Sequence, residues 1–109
     1  MIFVSVDEFL RESKSIQLLS KSEEKELAQK MSKGDQNARL QLIRAYLPYV
    51  AAVIRRSPKD IQTLNTLYSC ISALEKGVDS FNFLQEGESF GHRLSIILRR
   101  CTLRAIAGS

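Results

Sequence analysis

Arg93, Arg99, Arg100 and Arg104 fall within the last 21 residues, a stretch that contains no Asp or Glu. The rest of the chain balances. Residues 1–88 hold twelve bases and twelve acids, so the formal charge of +4 resides in one terminal segment. Ile96 and Leu103 stand among those arginines, seven residues apart and therefore on one face of a helix. A cationic face with apolar residues set into it suits nucleic acid: arginines hold phosphates, and apolar side chains reach base faces or edges. The same residues also fit a partner helix docking on Ile96 and Leu103, or a solvated basic helix end favoured by the helix dipole. Composition leaves these three readings open.

Other chemistries find little material. His92 is the single histidine, no Ser-His-Asp or Cys-His set can be built around it, and no Gly-rich phosphate loop is present. Cys70 and Cys101, 31 apart with one histidine, are too few ligands for zinc. Both fall on apolar helix stripes and read as buried, reduced, cytosolic thiols with no disulfide. The chain is therefore not expected to be an enzyme or to carry a metal or cofactor. The longest uncharged stretch, Ile61 to Leu74, is too short and too polar to span a bilayer. Met1 to Val6 lacks a basic start and runs straight into Asp7 and Glu8, unlike a signal peptide.

The elements that must position these residues read as helices throughout. A chain of 109 residues, 44% apolar and 26% charged, suits one globular domain that needs no metal or disulfide staple. Val6, Phe9 and Leu10 form a short stripe ending near Ser13. Ser20 and Glu23 form a capping box, and Leu27, Ala28 and Met31 continue its helix to Gly34. Asp35 caps a predicted long helix with inner face Leu40, Ile43, Leu47, Val50 and Ile54, which Pro48 should kink. Ser57-Pro58 reads as a restart, leading to Ile61, Leu64, Leu67, Ile71, Leu74 and Val78. Phe81 to Gly87 reads as a turn. Ser89 caps a last helix with inner stripe Phe90, Leu94, Ile97, Leu98, Cys101 and Ala105. The predicted fold is an all-α, compact helical bundle of about five helices.

Several segments together resemble the sigma-70 family of bacterial RNA polymerase sigma factors. Val6-Asp7-Glu8-Phe9-Leu10-Arg11-Glu12, Leu18-Leu19-Ser20, Glu23-Glu24 and Glu26-Leu27-Ala28 resemble the family's first conserved block. Gly34-Asp35, Ala38-Arg39 and Leu42-Ile43 continue it, and Leu47-Pro48-Tyr49-Val50 looks like the start of the next. Val78-Asp79-Ser80-Phe81-Asn82 resembles the family's Val-Glu-Lys-Phe-Asp. With one extra residue in the turn, Phe90 aligns with the phenylalanine that opens the promoter-reading helix. Arg99, Arg104, Ala105, Ile106 and Ala107 keep their family identities along that helix.

The resemblance implies a region-2-like single domain over residues 1–109, with N-terminal helices over 1–33 and core- and DNA-binding helices over 34–109. It implies binding to the clamp of the largest subunit of core RNA polymerase and to promoter −10 DNA, in a cytoplasmic, nucleoid-associated transcription factor. The DNA-binding candidates are Arg93, Ile96, Ile97, Arg99, Arg100, Leu103 and Arg104. The polymerase-binding candidates are Asn65, Tyr68, Ser69 and Ser72, with a plain packing role equally open for Tyr68. Phe90 reads as a core anchor.

Two departures from the family bear on function. Ile96 and Ile97 stand where the resemblance places paired tryptophans, Arg93 where it places a tyrosine, and no aromatic residue follows Phe90. Stacking on an aromatic ring is worth about 1–3 kcal/mol per base, and an aliphatic side chain lacks the π face. Strand melting should therefore be weak. Asn65-Thr66-Leu67-Tyr68-Ser69-Cys70 replaces the family's Asp-Leu-Ile-Gln-Glu-Gly, so both clamp-facing carboxylates are gone. An alternative follows from these losses: a degenerate sigma-like interaction module that binds an anti-sigma factor or a companion sigma subunit, without promoter recognition.

Overall fold

Six α-helices and one 3₁₀ turn build the computed structural model, which describes residues 2–108. They are α1 (Val6–Ser13), α2 (Lys21–Ser32), α3 (Gln36–Ala45), α4 (Leu47–Arg56), the turn Lys59–Ile61, α5 (Leu64–Ser80) and α6 (Phe90–Ala107). No strand occurs among the described residues. The fold is an all-α bundle. α5 and α6 pack along one another, α4 lies against both, α1 rests on α4, and α2 pairs with α3.

Side-chain caps set the helix starts. Ser5 Oγ accepts from the Glu8 N–H at 3.1 Å. Ser20 Oγ accepts from the Glu23 N–H at 3.2 Å while the Glu23 carboxylate accepts from the Ser20 N–H at 2.9 Å, closing the capping box. Asp35 accepts from the Ala38 N–H at 3.1 Å, and Ser89 from the His92 N–H at 3.2 Å. Between α2 and α3 the chain reverses through Gly34, whose φ of +93° lies in the region that glycine adopts without steric cost.

Three details of the helical reading need correction. The helix predicted from Asp35 through Ile54 is two helices, broken at Tyr46, which raises the count to six. Pro48 therefore stands in the first turn of α4, where its missing N–H is one of the groups left unbonded anyway. The break rotates the inner face, so Ala38, Leu42 and Ile43 are buried and Leu40 is 51% exposed. Ser57 ends α4 instead of starting a helix: its N–H bonds the Ile54 carbonyl at 3.1 Å, and its hydroxyl donates to the Val53 carbonyl at 2.8 Å. The following helix starts only at Leu64, where Thr63 Oγ1 accepts from the Thr66 N–H. On α6 the buried stripe is Phe90, Gly91, Leu94, Leu98 and Thr102, with Ile97, Cys101 and Ala105 only partly covered at its edge.

An aromatic cluster seats the N-terminus of α6. Phe90 is 1% exposed, with ring centroids 4.8 Å from Tyr46, 5.3 Å from Phe81 and 4.9 Å from Phe83. The Tyr46 hydroxyl donates to the Glu24 carboxylate, joining α2 to the α3–α4 junction. Burial, and then that carboxylate, push the Tyr46 hydroxyl well above the ordinary tyrosine range, so it remains a donor at neutral pH. Across the bundle, Arg39 on α3 holds Asp79 on α5 through two bonds of 2.6 and 2.9 Å.

Two stability measurements check this packing. Phe90→Ala removes the ring common to three aromatic contacts and should cost about 3–5 kcal/mol in urea unfolding, as large-to-small core substitutions do. The Arg39 bond depresses the Asp79 carboxyl below its ordinary 3.8. Its contribution is thus fully present above that value and is lost as pH falls below it. Unfolding at about pH 6 and about pH 3 should show a smaller acid loss for Asp79→Asn than for the unsubstituted protein.

Candidate functional site

The outward face of α6 follows from its buried stripe. At 3.6 residues per turn, covering Leu94, Leu98 and Thr102 turns Ile96 and Leu103 to the opposite side. They are 40% and 53% exposed, large apolar side chains open to solvent. Arg99 flanks them on one side, Arg100 and Arg104 on the other, and all three are exposed.

The four arginines are not equivalent. Glu88, just before the cap of α6, grips Arg93 with two bonds of 3.2 and 2.9 Å. That pairing holds the Glu88 carboxyl below its usual value. Arg93, predicted as one of a free cationic set, is therefore locally neutralised. Among the described residues, Arg99, Arg100 and Arg104 have no ion-pair partner within 4.0 Å. The structure thus places around Ile96 and Leu103, on one helix, three guanidinium groups that no acid among the described residues compensates. Nothing in the charge pattern alone separates Arg93 from the others, although Glu88 is only five residues away.

The candidates on α5 lie along a groove shared with α6. Asn65, Tyr68, Ser69 and Ser72 line it from one side, and Ile97, Cys101 and Arg104 from the other, around a volume of about 700 Å³. Two candidate sets that are separate in sequence therefore meet at one groove. Lys76, which no sequence motif marks, lines it too.

Tyr68 has internal work. Its hydroxyl accepts from the Phe3 N–H at 2.7 Å and donates to the Phe3 carbonyl at 3.1 Å. The Phe3 ring is buried and meets Phe9 edge-on at 5.0 Å. Tyr68 thereby straps the segment before α1 onto α5, a contact spanning 65 residues that no local pattern announces.

Ile97 faces inward more than outward. It is half-buried against Gly77 of α5, where its Cδ1 would lie 3.5 Å from an added Cβ. The packing of α6 on α5 thus sets Ile97 apart from the outward face that Ile96 occupies. Among the described residues, no group of three or more His, Cys, Asp or Glu side chains is arranged to hold a metal ion. Among them, too, no helix is long and apolar enough to cross a membrane.

These two isoleucines give a direct test of the geometry. Ile96→Trp should leave the unfolding midpoint nearly unchanged, because the added ring projects into solvent. Ile97→Trp should cost about 1–3 kcal/mol through overpacking against Gly77, read by thermal or urea unfolding.

The N-terminal helices carry a match to a known family. Residues 5–37 match the family model for the Sigma-70 factor, region 1.2. The match covers α1, α2, the Gly34 turn and the first residues of α3, and does not extend to α5 or α6. This segment, with its capping box and its turn at Gly34-Asp35, is similar to region 1.2 of the sigma-70 factors.

Proposed function

We propose that this protein is a sigma-factor-like transcription initiation domain that binds the core RNA polymerase clamp and promoter −10 DNA, and that it holds DNA better than it opens it. The observation that carries the reading is the outward face of α6. Exposed Ile96 and Leu103 lie between Arg99, Arg100 and Arg104, three cations without an ion-pair partner among the described residues. Three such cations on one helix can neutralise successive phosphates, while the two apolar side chains approach base edges. Arg93, occupied by Glu88, contributes less.

Weak opening follows from what the face lacks. Extruding a base costs a few kcal/mol of unstacking and unpairing, which stacking inside the protein must offset. Ile96 offers apolar contact without a π face, and Ile97 is directed toward Gly77. For the polymerase contact, the exposed side chains Asn65, Ser69 and Ser72 of α5 are the leading candidates. Tyr68 supports that surface from behind, its hydroxyl being engaged by Phe3.

Binding to purified core RNA polymerase tests the first half of the proposal. Complex formation supports it; failure to bind core, with a stable complex to a small anti-sigma or companion sigma subunit, supports the interaction-module reading. The DNA half is tested by salt titration. Replacing Arg99 and Arg100 together with Gln should weaken DNA binding and flatten the log K against log salt slope by up to about 2, if each meets a phosphate. Lys25 and Lys30 are the control pair, since they already lie 4.0 Å from Glu86 and 3.5 Å from Glu26. Their replacement should have a much smaller effect, and equal losses from the two pairs would remove the case for α6. Fluorescence titration with single-stranded −10-like DNA completes the test. Ile96→Trp should raise affinity for the single strand, and tight, sequence-specific binding by the unsubstituted protein would overturn the weak-opening reading.

A further inference from the structure

Cys70 and Cys101 are 31 residues apart in sequence and adjacent in space. Cys70, on α5, is fully buried, and its S–H points at the Cys101 sulfur on α6 across 3.6 Å. Both are free thiols. Cys101 is half-buried and lines the α5–α6 groove, so small solutes reach one sulfur of the pair and not the other. A disulfide requires the sulfurs to close to about 2.05 Å, a small movement for two facing side chains on packed helices.

We propose that Cys70 and Cys101 form a peroxide-oxidisable dithiol, with Cys101 the thiol that is attacked first and Cys70 the resolving thiol, and that the resulting bridge clamps α6 to α5. The Cys101 thiolate attacks one peroxide oxygen. The O–O bond breaks, giving Cys101 sulfenic acid and a hydroxide that leaves as water after taking up a proton. The Cys70 sulfur then attacks the Cys101 sulfur, forming the S–S bond and breaking the S–O bond. The departing hydroxide takes the Cys70 proton and leaves as a second water. Two thiols are oxidised by two electrons in total, and one peroxide is reduced to two waters.

The order of events follows from burial. Desolvation pushes the Cys70 thiol up to about 12, which makes it a poor first nucleophile toward a solute it cannot meet. Once Cys101 is oxidised, that burial no longer protects Cys70, because the electrophilic sulfur is already its neighbour. Ile97 and Gly77 pack nearby at the same α5–α6 contact, so the bridge would fasten an interface that is already closed. The chemistry is independent of whether α6 binds DNA.

The experiment treats the reduced protein with hydrogen peroxide, blocks remaining thiols with N-ethylmaleimide, and maps the products by intact mass and peptide mass spectrometry. The expected product is a monomer with Cys70 linked to Cys101, no alkylation at either, and full recovery of two thiols on reduction. Its melting midpoint should rise on the order of 10 °C and fall back on reduction, because the bridge restrains the unfolded chain. Cys70→Ser should stop at a Cys101 sulfenic acid that dimedone captures, and Cys101→Ser should leave Cys70 unmodified at the same dose. Cys101 passing to sulfinic or sulfonic acid while Cys70 stays free would overturn the proposal, as would linkage between two molecules or no reaction of the unsubstituted protein. A bridge that lowers the midpoint would overturn the clamp. The wild-type mapping decides the pairing even where a serine variant fails to fold.

Discussion

The bundle depends on how the start of α6 is held. Phe90 is the first residue of that helix and sits in a cage of Tyr46, Phe81 and Phe83. One ring therefore brings together the α3–α4 junction, the loop after α5 and α6 itself. Because a helix is rigid, anchoring its first turn sets the rotation of every later residue. The inward placement of Leu94 and Leu98 and the outward placement of Ile96, Leu103 and the arginines are consequences of that seat. Tyr46 extends the same anchor to α2 through Glu24, so the segment that carries the sigma-70 region 1.2 match is tied to the helix proposed to meet DNA.

Packing between α5 and α6 is the second organising constraint. Gly77 has no side chain, and Ile97 and the Phe90 ring lie against the space a Cβ would take. That contact draws Ile97 away from the outer face and brings the Cys101 sulfur up to Cys70. It also leaves the exposed flank of α5 and the arginine-bearing side of α6 as the two walls of one groove. Any partner seated on the polar side of α5 would thus lie beside Arg104, so the proposed polymerase and DNA contacts are neighbours along this groove.

Charge follows a similar logic of local compensation. Glu88 occupies Arg93, Asp79 occupies Arg39, and Glu86 and Glu26 stand near Lys25 and Lys30. These are exposed or partly exposed pairs, each contributing little to stability. Their effect is on where positive potential remains. It remains at Arg99, Arg100 and Arg104, because the last two-thirds of α6 contains no acid and the fold brings none within ion-pair distance among the described residues.

What the sequence determined by itself was local. The Ser20–Glu23 capping box, the Gly34 turn, the Ser89 cap and the three-and-four spacing of Leu67, Ile71, Leu74 and Val78 each act within a few residues, so each is legible in the residues alone. The excess of arginine on the last helix and the anchoring role of Phe90 are legible for the same reason. Only the tertiary structure decided that Pro48 begins a helix instead of kinking one: the break falls at Tyr46, whose ring packs in the Phe90 cluster. It also decided that the Tyr68 hydroxyl belongs to Phe3, that Ile97 faces Gly77, and that two cysteines 31 residues apart share a contact. Periodicity reports which side of a helix is apolar. It does not report which neighbour lies across from that side or how close it comes, because those distances are set by side-chain volumes contributed from distant parts of the chain.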